Sequence, residues 1–434
     1  MSKAWWGTAA LAMLSLLAAG PAAGADKMLS LEQAVGLALK NNPTLEAARQ
    51  EVAQAEGRVT QTTSRWWPQL SGDAGYTRNY SDRSRTSNYA GHYDYYEGEL
   101  SLTQKIYDFG QTGGKVEASR QELSAVRHDL STRRDEVVLS VKTSYFEVLK
   151  NQHLVRVATK TLESQQRHVE QAKGFYATGL RPKIDVARAA VDLANARLAL
   201  ISAQYRRREA RVALERVMGV RPWRAKYELA PEKGLPPLPG KLDPLIVEAM
   251  DRRPETASLK AYIAASQGRL EAAQGGYWPS LDAGGSFGYG NTEFPLQNDW
   301  AAGVSLSWAI FSGFLTKGQV NEARAQILQR QAKLKDLELG ISEEVEQAWL
   351  VVRESQERIE VARTALEAAK ENFRLAQGRY ENGVGDAIEF TDAQVARFQA
   401  ASDLVRARYD YLQAYAALER ALGRPMTASR VAMK

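Results

Sequence analysis

Glu389 and Asp392 are two carboxylates whose spacing suits a shared chemical role. Three positions apart on a helix, they lie on one face. If several copies of the chain surround an axis, such carboxylates form a ring that favours cations. The alternative is that they are acidic residues near a helix N-terminus, stabilising the helix dipole by about 0.3–1 kcal/mol. That second interpretation explains Asp185 and Asp386 better.

No enzyme site is recognisable in the sequence. Residues 110–116 resemble a phosphate-binding loop, but the segment is one residue too short and has Val where Ser or Thr is required. We interpret it as a strand-to-helix junction. With no cysteine and no histidine pair four positions apart, we expect no metal site and no cofactor. The basic cluster at 206–208 is interpreted as a solvated helix face, so no nucleic-acid partner is expected.

Composition limits the class of protein. The chain has 434 residues, of which 44% are hydrophobic and 25% charged, with no cysteine and a net charge of +6. A mean hydropathy of −0.41 is too polar for a bundle of transmembrane helices. The absence of cysteine excludes a disulfide-stapled fold and a lipid-modified N-terminal cysteine. The charge excess is too small to indicate a nucleic-acid or anionic-lipid ligand.

The N-terminus has the features of a secretory signal peptide. Lys3 precedes an apolar stretch at residues 4–19, and Ala23 and Ala25 form a small-x-small cleavage site before Asp26. We therefore assign residues 1–25 to a signal peptide and expect the protein to be exported.

The rest of the chain consists of two copies of one unit. Ala-Leu-Glu-Arg at residues 213–216 recurs at 417–420, an offset of 204, whereas Trp-Pro at 67–68 recurs at 278–279, an offset of 211. The offset falls by seven between these landmarks, which indicates a loop that is shorter in the second copy. Since dense proline excludes helix interior, the segment between the copies is expected to be extended. The resulting division is a first structural repeat at 26–219, a Pro-rich connector at 220–244, a second repeat at 245–423 and a short tail at 424–434.

Each repeat is predicted to contain one very long helix, at 114–174 and at 318–378. Apolar residues recur every seven positions, shift once by four, and continue, which is a coiled-coil seam with one stutter. A helix of this length spans roughly 90 Å at about 1.5 Å per residue, so the helices must stand side by side as a bundle or tube. The seam residues are Val116, Leu123, Leu130, Val137, Val141, Val148, Val155, Leu162 and Val169, each with an apolar counterpart 204 positions later.

Shorter helices flank the long ones. Two are predicted before the Trp-Pro landmarks, at 31–64 and 245–274, and two after the long helices, at 184–218 and 388–422. Gly219 and Gly423 occupy the positions at which helices commonly end.

Four segments of about 10 residues are predicted to be membrane-crossing strands, at 70–80, 96–106, 281–289 and 300–310. Large apolar residues alternate with small or polar ones, as expected between lipid and a water-filled interior. The alternative for any one segment is a soluble hairpin with one buried face. In the clearest strand the lipid-facing residues are predicted to be Trp300, Val304, Leu306, Trp308 and Ile310.

Four strands cannot close a barrel, and a membrane sheet cannot leave its edges unpaired. Two chains would supply 8 strands, a barrel that side chains fill, whereas three would supply 12, enough for a lumen. We therefore predict a homotrimer. The fold class is mainly α with a transmembrane β-barrel portion, in which a duplicated helix–β-hairpin–helix unit forms a 12-stranded barrel continued by a long α-helical barrel.

This series of landmarks resembles the TolC family of outer-membrane efflux proteins. The resemblance covers residues 26–434 and depends on the duplicated unit, the signal peptide and short motifs at 42–43, 67–70, 107–110 and 380–383. It implies a trimer with its barrel in outer-membrane lipid and its helices in the periplasm. It also implies a passive exit channel for drugs or other small molecules, docked to a periplasmic adaptor and an inner-membrane pump, and not an enzyme.

The resemblance also implies site residues. Glu389 and Asp392, followed by Ala393, are similar to the family's acidic segment at the periplasmic constriction, although the first residue here is Glu instead of Asp. The turns farthest from the strands are expected to contact the adaptor, unless they only connect helices; their residues are Gly179, Leu180, Gly383 and Val384. Two alternative functions are left open. The first is the outer-membrane component of a type I protein secretion system, and the second, which the sequence favours less, is a periplasmic coiled-coil adaptor.

Overall fold

A computed structural model of the protein describes residues 27–81, 91–221, 227–232 and 234–424. The signal peptide predicted at 1–25 lies outside these ranges, as do residues 425–434 of the tail. The first repeat comprises β1 (Lys27–Leu29), α1 (Leu31–Asn41), α2 (Pro43–Thr63), β2 (Gln69–Ser81), β3 (Gly91–Tyr107), α3 (Gln111–Ala177) and α4 (Lys183–Val217). After β4 (Tyr227–Leu229), the second comprises α5 (Leu242–Arg252), α6 (Pro254–Gly275), β5 (Ser280–Asn291), β6 (Gln297–Ser307), α7 (Leu315–Glu381) and α8 (Ala387–Ala421).

The two helices that follow the strands have equal lengths in the two copies. The long helices α3 and α7 have 67 residues each, and α4 and α8 have 35 each. The predicted seam is confirmed, because none of its residues is exposed, and Val141 and its counterpart Val345 are fully buried. Each long helix extends three residues farther at both ends than predicted. Gly114 is tolerated inside α3 because the helix approaches α6 closely there: an added Cβ would lie 2.5 Å from the carbonyl oxygen of Gly268.

The single helices predicted at 31–64 and 245–274 are wrong, since the chain bends before a proline in each. Asn42 and Arg253 have extended backbone (ψ of 122° and 127°) and separate α1 from α2 and α5 from α6. A residue before proline is disfavoured in the α region, which explains both breaks. The Asn42 side chain then caps α2 by accepting a hydrogen bond from the amide of Thr44 at 2.9 Å.

The segment predicted as an extended connector, 220–244, contains regular secondary structure. The helix α5 begins inside it, at Leu242, and β4 pairs in parallel with β1. The Tyr145 hydroxyl on α3 lies 3.0 Å from the Leu29 carbonyl oxygen and 2.7 Å from that of Ala230, so it fastens this two-stranded sheet to the long helix.

The other sheet has the order β2-β3-β5-β6, with antiparallel neighbours throughout. The pairing of β3 with β5 joins the two repeats. The strands have 13, 17, 12 and 11 residues, so β3 is much longer than the predicted 10. The strand β6 ends at Ser307, so the inclusion of Trp308 and Ile310 in it is wrong. Within the described residues, no helix has both the length and the apolarity that a membrane span requires.

Candidate functional site

Both long helices end in the same turn. Gly179 has a φ of +75° and Gly383 a φ of +76°, in the left-handed region that glycine adopts at little cost. In each turn, the amide two residues beyond the helix cap bonds to a carbonyl of the last helical turn, which is a Schellman motif. The bonds are Leu180 N–H to the Phe175 carbonyl at 2.9 Å and Val384 N–H to the Arg379 carbonyl at 3.0 Å.

The turns present apolar side chains outward. Leu180 is 70% exposed and Val384 is 73% exposed. A helix of 67 residues spans about 100 Å, so these side chains lie far from the strands that precede α3 and α7. Contact between this tip and an adaptor stays a prediction.

A side chain of the first turn bonds directly to the second turn. Arg181 donates a hydrogen bond of 2.6 Å from its guanidinium to the carbonyl oxygen of Gly385. The same guanidinium lies 5.2 Å from the ring centroid of Tyr380, a cation–π distance. The two hairpins are therefore held together at the tip.

An aromatic cluster fills the space behind the turns. The ring of Phe390 on α8 lies 4.4 Å from the His168 ring, 5.4 Å from Tyr380 and 5.5 Å from Phe373. His168 is 4% exposed, and its Nδ1 has no hydrogen-bond partner among the described residues. Burial lowers the pKa of His168, although the charge of Asp192 opposes the shift. At neutral pH this histidine is an uncharged member of the cluster.

The two carboxylates predicted to form the gate are both exposed, on the first two turns of α8. Glu389 forms an ion pair of 3.3 Å with Arg379, whereas Asp392 has no ion pair among the described residues. Asp386 is the N-cap of α8, and its side chain accepts from the amide of Ile388 at 3.2 Å. A gate formed by Glu389 and Asp392 stays a prediction, while the interpretation of Asp386 as an acidic residue at a helix N-terminus is confirmed.

One face of the four-stranded sheet is apolar. In β6, Trp300, Val304 and Leu306 are 75%, 69% and 68% exposed. Trp308 and Ile310, beyond the strand, are also exposed, and the Trp308 indole donates to the Tyr277 carbonyl at 3.1 Å. Register places further exposed apolar side chains on this face: Leu70, Leu100, Leu102, Phe287 and Tyr289. Their contact with lipid stays a prediction.

The opposite face is polar and acidic. One row across the sheet contains Asp73, Glu99, Gly288 and Asp299, directly opposite one another on adjacent strands. The next row consists of Ser71, Ser101, Ser286 and Ala301, with a hydrogen bond of 2.7 Å between the first two hydroxyls. Like charges directly opposite one another destabilise a sheet, so the carboxylate row is not explained by stability.

The phosphate-loop-like segment is the start of α3. Its Gly110 has a φ of +90°, and the Asp108 carboxylate accepts hydrogen bonds from the amide and hydroxyl of Thr112. This carboxylate occupies the helix N-terminus at which a phosphate would bind. Within the described part of the chain, no group of three or more His, Cys, Asp or Glu residues could hold a metal ion.

Comparison with known proteins identifies the family. The profile of the family described as outer membrane efflux protein matches residues 34–220 and 245–424. The chain belongs to the outer membrane efflux protein family. This assignment agrees with the resemblance found in the sequence and places the protein in the outer membrane.

The relatives of this efflux protein match over most of their lengths. It is 23% identical to outer membrane efflux protein BepC of Brucella suis, across 89% of this chain and 85% of BepC. It is 24% identical to outer membrane protein TolC of Escherichia coli, across 94% of this chain and 85% of TolC. The crystal structure of the Campylobacter jejuni CmeC outer membrane channel superposes with a TM-score of 0.81 at 18% identity, across 91% of this chain and 85% of CmeC.

The family consists of channel and transport proteins. The sequence interpretation missed the Arg181–Gly385 bond and the carboxylate row. Arg181 could have been noted as a charged residue beside a turn glycine, but its partner is 204 residues away. The row could have been found only with the strand register, because its three carboxylates lie on three different strands.

Proposed function

We propose that this efflux protein is the outer-membrane exit channel of a tripartite system. It passively conducts drugs or other small molecules out of the periplasm while docked to an adaptor and an inner-membrane pump. The observation that carries the proposal is the combination, in one chain, of a sheet with one apolar and one acidic face and two helices of about 100 Å, each packed against shorter helices. A sheet of this kind separates lipid from water, and the helices extend the conduit.

The strand order supports a closed oligomer. The outer edges of β2 and β6 have no partner strand in the described part of the chain. Unpaired edges are not tolerated in lipid, so each edge must pair with another copy. Three copies give 12 strands, which enclose a lumen into which the acidic faces point.

The helices α4 and α7 each carry exposed apolar side chains that the rest of the described chain does not cover. On α4 an apolar side chain recurs every seven residues, and each is at least half exposed. On α7 a second exposed apolar series recurs every eleven residues. These surfaces support helix packing between copies, because an exposed seam of this length is stable only when covered. The residues are Ile184, Val191, Leu198, Tyr205 and Val212 on α4, and Leu328, Leu339, Leu350 and Val361 on α7.

The test is the mass and conductance of the purified protein. We expect the mass of three chains by light scattering in detergent, and discrete single-channel currents in planar bilayers. Val191→Asp with Leu198→Asp should reduce the mass to one chain, since it charges the α4 seam. Ala190→Asp with Arg197→Asp is the matched control, because each of these exposed residues precedes a seam residue by one position and so lies about 100° around the helix from it. A wild-type monomer without channel activity would refute the proposal.

Cargo requires a cellular test. A deletion strain should accumulate small toxic compounds and regain resistance when the gene is restored. A strain with normal resistance that fails to release a secreted protein would instead assign the channel to type I secretion.

A further inference from the structure

A cavity lies in the wall of the helical region, where α3 and α4 of the first repeat meet α8 of the second. Its volume is about 220 Å³. Since a water molecule in the liquid occupies about 30 Å³, this space exceeds that of one or two bridging waters. The cavity is separate from the tip turns, from the carboxylates predicted to form the gate, and from the sheet.

Two buried amides line this cavity with polar atoms that have no partner. Gln165 is 4% exposed, and its Oε1 accepts no hydrogen bond from the described residues. Gln394 is 2% exposed, and both its Oε1 and its Nε2 are unpaired within the same part of the chain. An unsatisfied buried polar group costs about 1–3 kcal/mol, so the two Oε1 acceptors indicate a ligand that donates hydrogen bonds to them.

The cavity also contains one uncompensated charge. Asp192 accepts a hydrogen bond of 3.3 Å from the Thr391 hydroxyl and has no ion pair with any described residue. The rest of the lining is mostly apolar, with Val395 and Phe398 on α8 and three alanines on α3 and α4, besides the polar Thr161 and Asn195. A ligand that fits this lining has one positive charge and an apolar body.

We propose that this cavity binds a small organic monoamine in its ammonium form. An ammonium group has three N–H donors and no acceptor, and the cavity offers three acceptors without a partner of their own: an Asp192 carboxylate oxygen and the Oε1 atoms of Gln165 and Gln394. The apolar body of the amine packs against Val395 and Phe398. A divalent metal ion fits poorly, because calcium takes 6–8 oxygen ligands and only one carboxylate is present.

The proposal is tested by ¹⁹F NMR on the full-length protein in amphipol, with 4-fluorobenzylamine as the probe. Saturable binding is expected, at least tenfold tighter than that of 4-fluorobenzyl alcohol, which has the same shape without the charge. The diamine 1,4-diaminobutane should compete at least tenfold less well than benzylamine, because its second ammonium would face the apolar wall. Equal binding of amine and alcohol, or preference for the diamine, would overturn the proposal.

Substitutions locate the binding. Asp192→Asn should weaken amine binding at least tenfold and leave alcohol binding unchanged, and Gln394→Leu should weaken amine binding by about three- to tenfold. Asp403→Asn, an exposed carboxylate on α8 outside the cavity, is the matched control and should bind like wild type. Gel filtration and thermal melting establish that each variant is folded.

A crystal structure with benzylamine supplies the deciding observation. Density for the amine against Asp192 is expected. Density for water alone, or undiminished amine binding by folded Asp192→Asn, would refute the site. The binding measurements involve no transport, so failure of this proposal is distinguishable from failure of the proposed channel function.

Discussion

Arg181 and Gly385 occupy the same position in the two repeats, 204 residues apart, and a hydrogen bond of 2.6 Å joins them. A positively charged side chain in one copy thus bonds to the backbone at the position where the other copy has no side chain. Gly385 also leaves no room for one, because a Cβ there would lie 2.8 Å from the Cβ of Arg379. The two turns are therefore not interchangeable, although their backbones are nearly identical.

The first prediction concerns this bond. Arg181→Ala should loosen both turns, because a hydrogen bond from a charged donor contributes about 1.5–3 kcal/mol. Hydrogen exchange measured by mass spectrometry should become faster in peptides that contain Leu180 or Val384. Lys183→Ala, which removes an exposed charge two residues away, is the control. Unchanged exchange in the Arg181 variant would show that the bond does not hold the tip.

The second prediction concerns the carboxylates expected at the gate. Glu389→Gln with Asp392→Asn should reduce cation selectivity in planar bilayers and weaken block by multivalent cations, since carboxylate rings favour cations. Asp386→Asn is the matched control, because it removes one negative charge from the same helix end while asparagine keeps the cap. If the double variant and the control behave alike, only the helix-dipole role is left.

The third prediction concerns an ion-pair network that joins helices α6, α7 and α8 of the second repeat. Arg253 is 4% exposed and bonds to Glu255 at 3.0 Å and to Glu344 at 2.5 Å, and Arg420 bonds to the same two carboxylates at 2.9 Å and 2.5 Å. Burial alone would raise the pKa of Glu255, but bonding to Arg253 and the charges of both arginines lower it. A lowered pKa means that the carboxylate stabilises the fold above the unfolded-state pKa of about 4.3.

Glu255→Gln should accordingly lower stability at pH 7 by about 1–3 kcal/mol, measured as a lower Tm. The stabilisation is lost as the pH falls through the folded-state pKa, so the difference in Tm should shrink below about pH 4. Glu367→Gln, which breaks an exposed pair with Lys370, should change stability by less than about 1 kcal/mol. A difference in Tm that is as large at pH 3 as at pH 7 would contradict the electrostatic origin.

The fourth prediction concerns the exposed apolar tip. Leu180→Cys and Val384→Cys should cross-link to cysteines in the hairpin of the adaptor when both proteins are expressed together. His92→Cys, in the strand hairpin at the opposite end of the long helix, is the control and should not cross-link. Efficient cross-linking from position 92 alone would show that the adaptor contacts the strand hairpin and not the tip turns.

The fifth prediction concerns the carboxylate row of the sheet. Asp73→Asn with Glu99→Gln should reduce cation preference in planar bilayers and slow thermal unfolding, because it removes two like charges that lie directly opposite each other. Ser71→Ala with Ser101→Ala, one row away, is the control for altered packing. Selectivity that does not change would show that this row does not face the ion path.

Much of the fold could be predicted because its pattern is periodic. The seven-residue seam of the long helices and its four-residue shift can be read from either copy, and the alternation in β6 can be read from the second. Helix ends were harder to predict. At Asn42 the break depends on one proline within an otherwise helical pattern, and no periodic signal marks the three-residue strands β1 and β4.

Groups of candidate functional residues could be predicted only where their members are close in sequence. Glu389 and Asp392 share a helix, so their common face follows from spacing. Gln165 and Gln394, by contrast, appear in the sequence as ordinary polar helix residues. Their burial depends on α8 packing against α3, a contact between elements more than 200 residues apart.

The equal lengths of α3 and α7, and of α4 and α8, limit how this protein can evolve. Inserting one helical turn into α3 alone would lift its tip by about 5.4 Å relative to that of α7, more than the Arg181–Gly385 bond can span. The β-hairpins are free of this constraint, which is where the seven-residue difference between the copies is found. A duplicated gene of this kind can therefore lengthen its helical region only by matched insertions in both halves. After an insertion in one repeat, selection favours an insertion of the same length in the other.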